Sequence, residues 1–251
     1  MKSKSEEIFK TESLNYFKRG YSNHEYLNDL PFNDFTDIVD TVIKPKNFKV
    51  LEIGCGSGKN IRYLYKKYNS ECYGVEPNKE LVSKLNREHQ KNGFNIKFLC
   101  GFSNHLDFDD NSFDLVFCWS VLHWVDRNQI LQTLGEMFRV TNKYILLMDF
   151  CPFSPYKTPY KHQDGIYTYK IDYTELYEKT GVTKKLDELY YFQPDWSGTE
   201  REHKVLDQNE YQTSKYDWVV RKRVLFEKKL ELLPIKSDDN YQVIEHKVGP
   251  S

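Results

Sequence analysis

The sequence predicts an α/β domain whose doubly wound, mostly parallel sheet has seven strands and carries helices on both faces. Between residues 48 and 150, short and almost wholly apolar segments alternate with segments in which apolar residues recur at helical spacing. Apolar strands of this kind are typical of parallel sheets, because helices bury both faces of such a sheet. Ligands bind such sheets at the carboxyl ends of the strands.

Each predicted element has a local signal in the sequence. The first 47 residues carry apolar positions at roughly helical spacing, which predicts a helical N-terminal segment. Asn78 is a suitable N-cap for the helix after the second strand, and Asn92-Gly93 is a suitable end for it. The predicted strands are 49–53, 72–75, 96–100, 114–118, 144–150, 189–192 and 216–225, and the predicted helices are 59–68, 78–91, 128–140 and 175–180.

Charge and hydropathy argue against several classes of protein. The formal net charge is −1, so no basic field favours a nucleic-acid partner. No run of about 18 apolar residues is present, and the N-terminal stretch lacks the apolar core of a signal peptide, so we expect neither a membrane partner nor secretion. Five cysteines without CxxC pairs, four of them in or beside apolar runs, favour buried reduced thiols in a cytoplasmic protein.

The run VLEIGCGSG at residues 50–58 is the most informative stretch. A P-loop would need glycine at position 53 and Ser or Thr at position 60, but these are Ile53 and Asn60. The dinucleotide fingerprint G-x-G-x-x-G also matches poorly, since the glycines fall at 54, 56 and 58. Glycines at such a turn let the backbone approach a ligand closely, and the following helix offers free N–H groups to an anion.

A second feature is Glu76, which ends the second predicted strand 22 positions after Gly54. A carboxylate there can accept hydrogen bonds from both hydroxyls of a ribose, and it disfavours a 2′-phosphate. The spacing E-x-G-x-G-x-G from Glu52 to Gly58, with Glu76 and the segment 113–124, resembles the core of class I S-adenosylmethionine-dependent methyltransferases over residues 48–150.

This resemblance implies S-adenosylmethionine as cofactor, S-adenosylhomocysteine as product and methyl transfer as the reaction. It also implies a set of cofactor-binding residues: Glu52, Gly54, Cys55, Gly56, Gly58, Glu76, Pro77, Phe102, Ser103, Trp119 and Ser120. One position departs from the family, whose members often carry an acid just after the third strand, where it binds the adenine amino group. Phe102 occupies that position here, so backbone amides and the Ser103 hydroxyl are the expected adenine contacts.

The acidic run after the third strand raises the question of a metal. Its carboxylates favour a solvated loop, because no histidine or further carboxylate brackets them at ligand spacing. We expect no metal. The residues concerned are Asp107, Asp109, Asp110 and Asp114.

The segment 152–173 interrupts the strand–helix alternation and predicts a lid insertion at the acceptor site. Three prolines prevent a helix at its start, and 167–171 has the pattern of a strand, which predicts a lid or hairpin over the carboxyl edge of the sheet. Its Tyr, Lys and His residues suit an anionic or hydroxyl-rich acceptor, although ordinary packing in a Tyr-rich chain explains the tyrosines as well. The predicted acceptor-binding residues are Tyr156, Tyr160, Lys161, Tyr169 and Trp124.

His162 and His123 are the candidate general bases, because histidine titrates near neutrality. A structural role, as a hydrogen-bonded histidine in the pocket wall, is open for both. By analogy with similar enzymes, the N-terminal segment is expected to cover the cofactor through Tyr16, Tyr21, His24 and Tyr26.

The chain is therefore predicted to divide into an N-terminal cap (1–47), a methyltransferase domain (48–234) and a tail (235–251) whose weak periodicity favours disorder. The lid segment looks similar to that of methyltransferases from bacterial capsule and O-antigen clusters, which implies O-methylation of a sugar, nucleotide-sugar, phosphate or phosphoramidate group. The alternatives are methylation of tRNA or protein and a non-catalytic S-adenosylmethionine-binding regulator. A small-molecule acceptor is the expected partner, and the oligomeric state is left open.

Overall fold

An eight-stranded sheet forms the centre of the structure, a computed structural model that describes residues 4–21, 26–193, 204–206 and 219–229. Its strands are β1 (Lys49–Ile53), β2 (Glu71–Glu76), β3 (Ile96–Cys100), β4 (Phe113–Trp119), β5 (Thr141–Phe150), β8 (Thr183–Gln193), β9 (Lys204–Leu206) and β10 (Val219–Lys228). A separate hairpin consists of β6 (Tyr156–Pro159) and β7 (Tyr167–Lys170). The helices are α1 (Lys4–Gly20), α2 (Asn33–Ile38), α3 (Lys59–Tyr68), α4 (Lys79–Lys91), α5 (Ile130–Val140) and α6 (Glu175–Thr180).

The strand order is β3-β2-β1-β4-β5-β10-β8-β9. Strands β1 to β5 pair in parallel, whereas β10 lies antiparallel between β5 and β8. The predicted fold class is thus confirmed: seven strands form the mostly parallel sheet, and the short β9 extends its edge by pairing with β8. The order reverses between β1 and β4, so the carboxyl ends of these neighbours flank a crevice of the kind in which doubly wound sheets bind ligands.

Alternating side chains of the central strands feed two separate core layers. Leu51 and Val116 pack in one layer with residues of α5, while Val50 and Phe117 pack in the other with residues of α3 and α4. Successive residues of a strand point to opposite faces, so an apolar strand can supply both layers at once. Burial of both faces explains why the strands lack the polar alternation of a half-exposed sheet.

The N-terminal segment lies against the layer that contains α4. Leu14 and Phe17 of α1 are buried in that layer, and so are Phe35 and Ile38 of α2. Among the described residues, no helix is long and apolar enough to cross a membrane.

Several predicted boundaries shift in the structure. The predicted strand 189–192 is the end of the longer β8, and the strand predicted at 216–225 is described from 219 to 228 as β10. The lid segment contains a two-stranded hairpin, with Tyr156 paired to Lys170. The predicted tail, 235–251, lies outside the described residues, as does His24.

Candidate functional site

A cavity of about 330 Å³ lies at the carboxyl ends of β1, β2 and β4. Its floor consists of the glycine turn after β1, the end of β2 and the segment after β4. Helix α1 closes it from above with Phe9, Ser13, Tyr16 and Phe17, and Tyr160 of the β6–β7 loop closes one side. The volume is within the range of small-molecule and cofactor sites.

The glycine turn needs left-handed backbone, but its glycines face different surroundings. Gly54 and Gly56 have φ of 64° and 53°, values that favour glycine. A Cβ atom added to Gly54 would lie 2.6 Å from Cγ2 of Val121, so that glycine is required by protein packing. A Cβ added to Gly56 would meet no protein atom within 4 Å, and Gly56 lines the cavity. The space beside Gly56 is therefore available to a ligand.

Glu76 ends β2 inside the cavity and is only 4% exposed. Its Oε2 accepts a hydrogen bond from the N–H of Gly56 at 3.3 Å. Burial raises the pKa of Glu76 to about 7, and the contacts with Ser13 and Gly56 offset part of that rise. A buried carboxylate of this kind has lone pairs to offer to the hydroxyls of a ribose.

Glu52 on β1 is a second buried carboxylate in the cavity wall. Its Oε1 accepts a hydrogen bond from Nδ2 of Asn60 at 2.8 Å. Its buried Oε2 has no hydrogen-bond partner among the described residues. Burial raises the pKa of Glu52 to about 8. Since buried polar atoms are ordinarily paired, the orphaned oxygen fits a ligand that brings its own donor, such as the ammonium group of a methionyl moiety.

The structure brings together nearly all the residues predicted to bind the cofactor. Every one of them lines the cavity except Gly58, the N-cap of α3. Ser120 after β4 has a left-handed φ of 61°, and its Oγ accepts a hydrogen bond from Arg221 at 3.3 Å. Ser103 shares a hydrogen bond of 3.0 Å with Thr133 of α5.

The predicted acceptor residues separate into two groups. Trp124 and Tyr160 line the cavity, and their rings meet edge to face with centroids 5.0 Å apart. Tyr156 and Lys161 are exposed, Tyr169 is half-buried, and none of the three belongs to the cavity wall.

Neither candidate base lines the cavity. His123 is 5% exposed, and its Nδ1 lies 2.8 Å from Oδ1 of Asp149. Burial lowers the pKa of His123. Asp149 also accepts a hydrogen bond from the N–H of Leu122 at 2.7 Å, so the His123–Asp149 pair stabilises the turn that carries Trp124. His162 is exposed, and its ring centroid is 5.3 Å from that of Tyr160.

A three-residue clasp between α1 and the hairpin was not predicted. The hydroxyl of Tyr160 donates to the buried carboxylate of Glu12 at 2.5 Å, and Nη2 of Arg19 donates to both at 2.5 and 2.6 Å. Burial and the neighbouring Glu12 raise the pKa of Tyr160, which keeps its hydroxyl protonated as a donor. The clasp holds the N-terminal helix and the hairpin together over the cavity.

The remaining part of the cap also contributes to the cavity wall. Tyr16 and Tyr21 line the cavity, and the hydroxyl of Tyr21 donates to Oγ of Ser57 at 3.0 Å. Tyr26 is buried beneath the cap and lies outside the wall. The sequence spacing of Glu6, Phe9, Ser13 and Tyr16 places them on one face of a helix. From this spacing the contribution of α1 to the cavity wall could have been predicted.

Among the described residues, no group of three or more His, Cys, Asp or Glu side chains could hold a metal ion. The described cysteines are all free thiols, and Cys100 alone among them is exposed.

The sequence of the sheet's first half has known counterparts. Residues 50–143 match the family model of the methyltransferase domain. An uncharacterized methyltransferase of Bacillus subtilis, YcgJ, is 28% identical over 109 residues, which cover 43% of each chain. A probable chloroplastic tocopherol O-methyltransferase of Oryza sativa subsp. japonica is 30% identical over 117 residues, 45% of this chain and 31% of that one. The chain thus spans less than half the length of either relative.

Solved structures share the fold over a longer stretch. An S-adenosylmethionine-dependent methyltransferase of Methanosarcina mazei superposes with a TM-score of 0.60 at 16% identity, over 81% of this chain and all of that one. A 1,6-didemethyltoxoflavin-N1-methyltransferase of Burkholderia thailandensis, solved with S-adenosylhomocysteine, superposes with a TM-score of 0.60 at 12% identity, over 88% of each chain. The likeness establishes a methyltransferase-type fold that includes regions on both sides of residues 50–143.

Proposed function

We propose that the protein is an S-adenosylmethionine-dependent methyltransferase that acts on a small-molecule acceptor. The single observation that carries the proposal is the free space beside Gly56, bounded by the buried carboxylates of Glu52 and Glu76 at the ends of adjacent strands. The match of residues 50–143 to the methyltransferase domain supports it.

In this proposal, each wall of the cavity has a task in holding the cofactor. Glu76 would accept hydrogen bonds from the ribose hydroxyls, and the orphaned Oε2 of Glu52 would accept one from the ammonium of the methionyl group. The first turn of α3 offers its N–H groups to the methionyl carboxylate. The chemistry that the cofactor supplies is an electrophilic methyl group on a sulfonium.

The protein's own contribution to the reaction is positioning. Methyl transfer is an in-line displacement, so alignment of the acceptor with the methyl group provides much of the rate. Trp124, in the segment after β4, and Tyr160 of the hairpin form one wall of the cavity, and the Glu12–Arg19–Tyr160 clasp keeps that wall closed. Closure excludes water from the reacting groups.

The acceptor end of the cavity is aromatic rather than basic. Phe32 and Trp119 stack at 6.1 Å, and Tyr16, Trp124 and Tyr160 complete the wall. Lys59, over the ring of Phe32 at 3.6 Å, is the one basic residue among the described residues of the cavity wall. These walls favour a planar or weakly charged acceptor.

A narrower proposal is O-methylation of a sugar, nucleotide-sugar, phosphate or phosphoramidate group in surface polysaccharide biosynthesis, in the cytoplasm. Its support is the run of basic residues on the hairpin, Lys157, Lys161 and His162, with His162 as the base that removes the hydroxyl proton. Because these residues lie outside the cavity wall, the hairpin would have to reach a part of the acceptor that projects from the cavity.

The experiment is to incubate the purified protein with S-adenosylmethionine and separate sets of planar hydroxylated or amino aromatics, nucleotide-sugars and sugar phosphates, and to measure S-adenosylhomocysteine. Product with the aromatic set favours the acceptor that the cavity wall suggests, and product with the phosphorylated set favours the narrower proposal. Transfer only to tRNA or protein contradicts a small-molecule acceptor. Saturable cofactor binding without product for any acceptor, tRNA and protein included, favours a regulator.

A further inference from the structure

We propose that Glu6, in the first turn of α1, recognises the adenine amino group of the cofactor. A helix outside the matched residues 50–143 would then select the base. This inference rests on the proposed function, since it assigns one end of the same cavity.

The position of Glu6 is set by two amides from different elements. Its Oε1 accepts a hydrogen bond from Nδ2 of Asn104 at 2.9 Å and another from Nε2 of Gln129 at 2.6 Å. Asn104 belongs to the turn after β3, and Gln129 is the N-cap of α5. All three residues line the cavity. The carboxylate is therefore held at the place where the turn after β3 faces the start of α5.

The order of the strands places the base at that end. The strands run β3-β2-β1, with Glu52 on β1 and Glu76 at the end of β2. A ligand whose methionyl group lies at the glycine turn and whose ribose lies at Glu76 must extend its base in the same direction, toward the end of β3. The residues of the cavity wall at that end are Gly101, Phe102, Ser103 and Asn104.

The adenine end of the cavity needs a hydrogen-bond acceptor, and Glu6 provides one. The exocyclic amino group of adenine is a hydrogen-bond donor, whereas the wall residues 101–104 contain no carboxylate. The Ser103 hydroxyl is engaged with Thr133. Both amide bonds fall on Oε1, and a carboxylate has about four acceptor sites in all. A carboxylate also repels a purine with a carbonyl oxygen at the same position, which provides selectivity.

The test compares two ligands on each protein variant. The ligands are S-adenosylhomocysteine and its analogue with hydrogen in place of the purine 6-amino group, and calorimetry gives the affinity of each. A hydrogen bond to a charged acceptor predicts that the wild-type protein prefers the amino ligand by about tenfold to a hundredfold. In Glu6→Ala, we expect the preference to fall within about threefold.

The matched control is Glu7→Ala on the same helical turn. Glu7 is exposed, pairs with Lys10 at 2.8 Å and does not line the cavity, so its removal is expected to leave the preference intact. A ratio of two affinities on one protein is insensitive to a small unfolded fraction. A wild-type protein without preference, or a Glu6→Ala variant that keeps it, overturns the assignment of Glu6. Failure of the wild-type protein to bind either ligand overturns the proposed function instead.

Discussion

Replacing Gly56 by alanine distinguishes the effect of this glycine on cofactor binding from its effect on the stability of the fold. The new Cβ meets no protein atom within 4 Å, so it projects into unfilled space. The backbone keeps a φ of 53°, which an L-residue adopts at a cost of about 1–2 kcal/mol. For a chain of this size, that cost lowers the unfolding temperature by roughly 2–8 °C. The variant is therefore expected to fold.

Gly56→Ala should weaken cofactor binding more than it lowers the stability of the fold. A methyl group inserted into a packed contact costs about 1–3 kcal/mol, which corresponds to a loss of affinity of roughly fivefold to more than a hundredfold. Gly56→Val, with two further methyl groups, is expected to abolish measurable binding. The assay is a calorimetric titration with S-adenosylhomocysteine, combined with thermal unfolding of the unliganded protein.

Gly54→Ala is the matched control for this prediction. It has similar backbone strain, with φ of 64°, but its Cβ would lie 2.6 Å from Val121 Cγ2. We therefore expect Gly54→Ala to lower the unfolding temperature more than Gly56→Ala does. If Gly56→Ala bound S-adenosylhomocysteine with the affinity of the wild-type protein, the cofactor would not pass Gly56 and the reasoning would be refuted.

Three further predictions concern the walls of the cavity. Because the pKa of Glu76 is about 7 and the ribose needs its ionised form, protonation of Glu76 alone should lower the affinity for S-adenosylhomocysteine by up to tenfold per pH unit below pH 7. Calorimetry in Glu76→Gln should show a flatter profile, and parallel profiles would contradict the assignment. Tyr160→Phe removes the hydroxyl of the clasp, so S-adenosylhomocysteine should dissociate about tenfold faster in stopped-flow measurements. Tyr167→Phe, at an exposed position, is the control, and equal dissociation rates in the two variants would rule out a role of the clasp in holding the ligand. His162→Ala should lower turnover more than cofactor affinity, and unchanged turnover eliminates His162 as the base.

The parts of the fold that could be predicted have local causes. The central strands bury both faces over most of their length, so β1, β4 and β5 stand out in the sequence as nearly continuous apolar runs. The turn of Gly54 and Gly56 and the carboxylate of Glu76 lie within 22 positions of one another, and their spacing reflects one strand–helix–strand unit.

The cover of the site could not be predicted, because its contacts join distant parts of the chain. Glu12 and Tyr160 are 148 positions apart, and Glu6 and Gln129 are 123 apart. Nothing near either residue in the sequence indicates its partner. In a chain with 19 Tyr and 36 Lys and Arg, a single Tyr or Lys in the lid also carries little information about its role. Tyr160 lies in the cavity wall while Tyr156 lies outside it.

The most direct measurement is a titration of the intact wild-type protein with S-adenosylmethionine, with S-adenosylhomocysteine as competitor. We predict one saturable site from which each ligand displaces the other, and no site in Gly56→Val. The absence of saturable binding to the folded wild-type protein at millimolar ligand would contradict the assignment of the cavity to this cofactor.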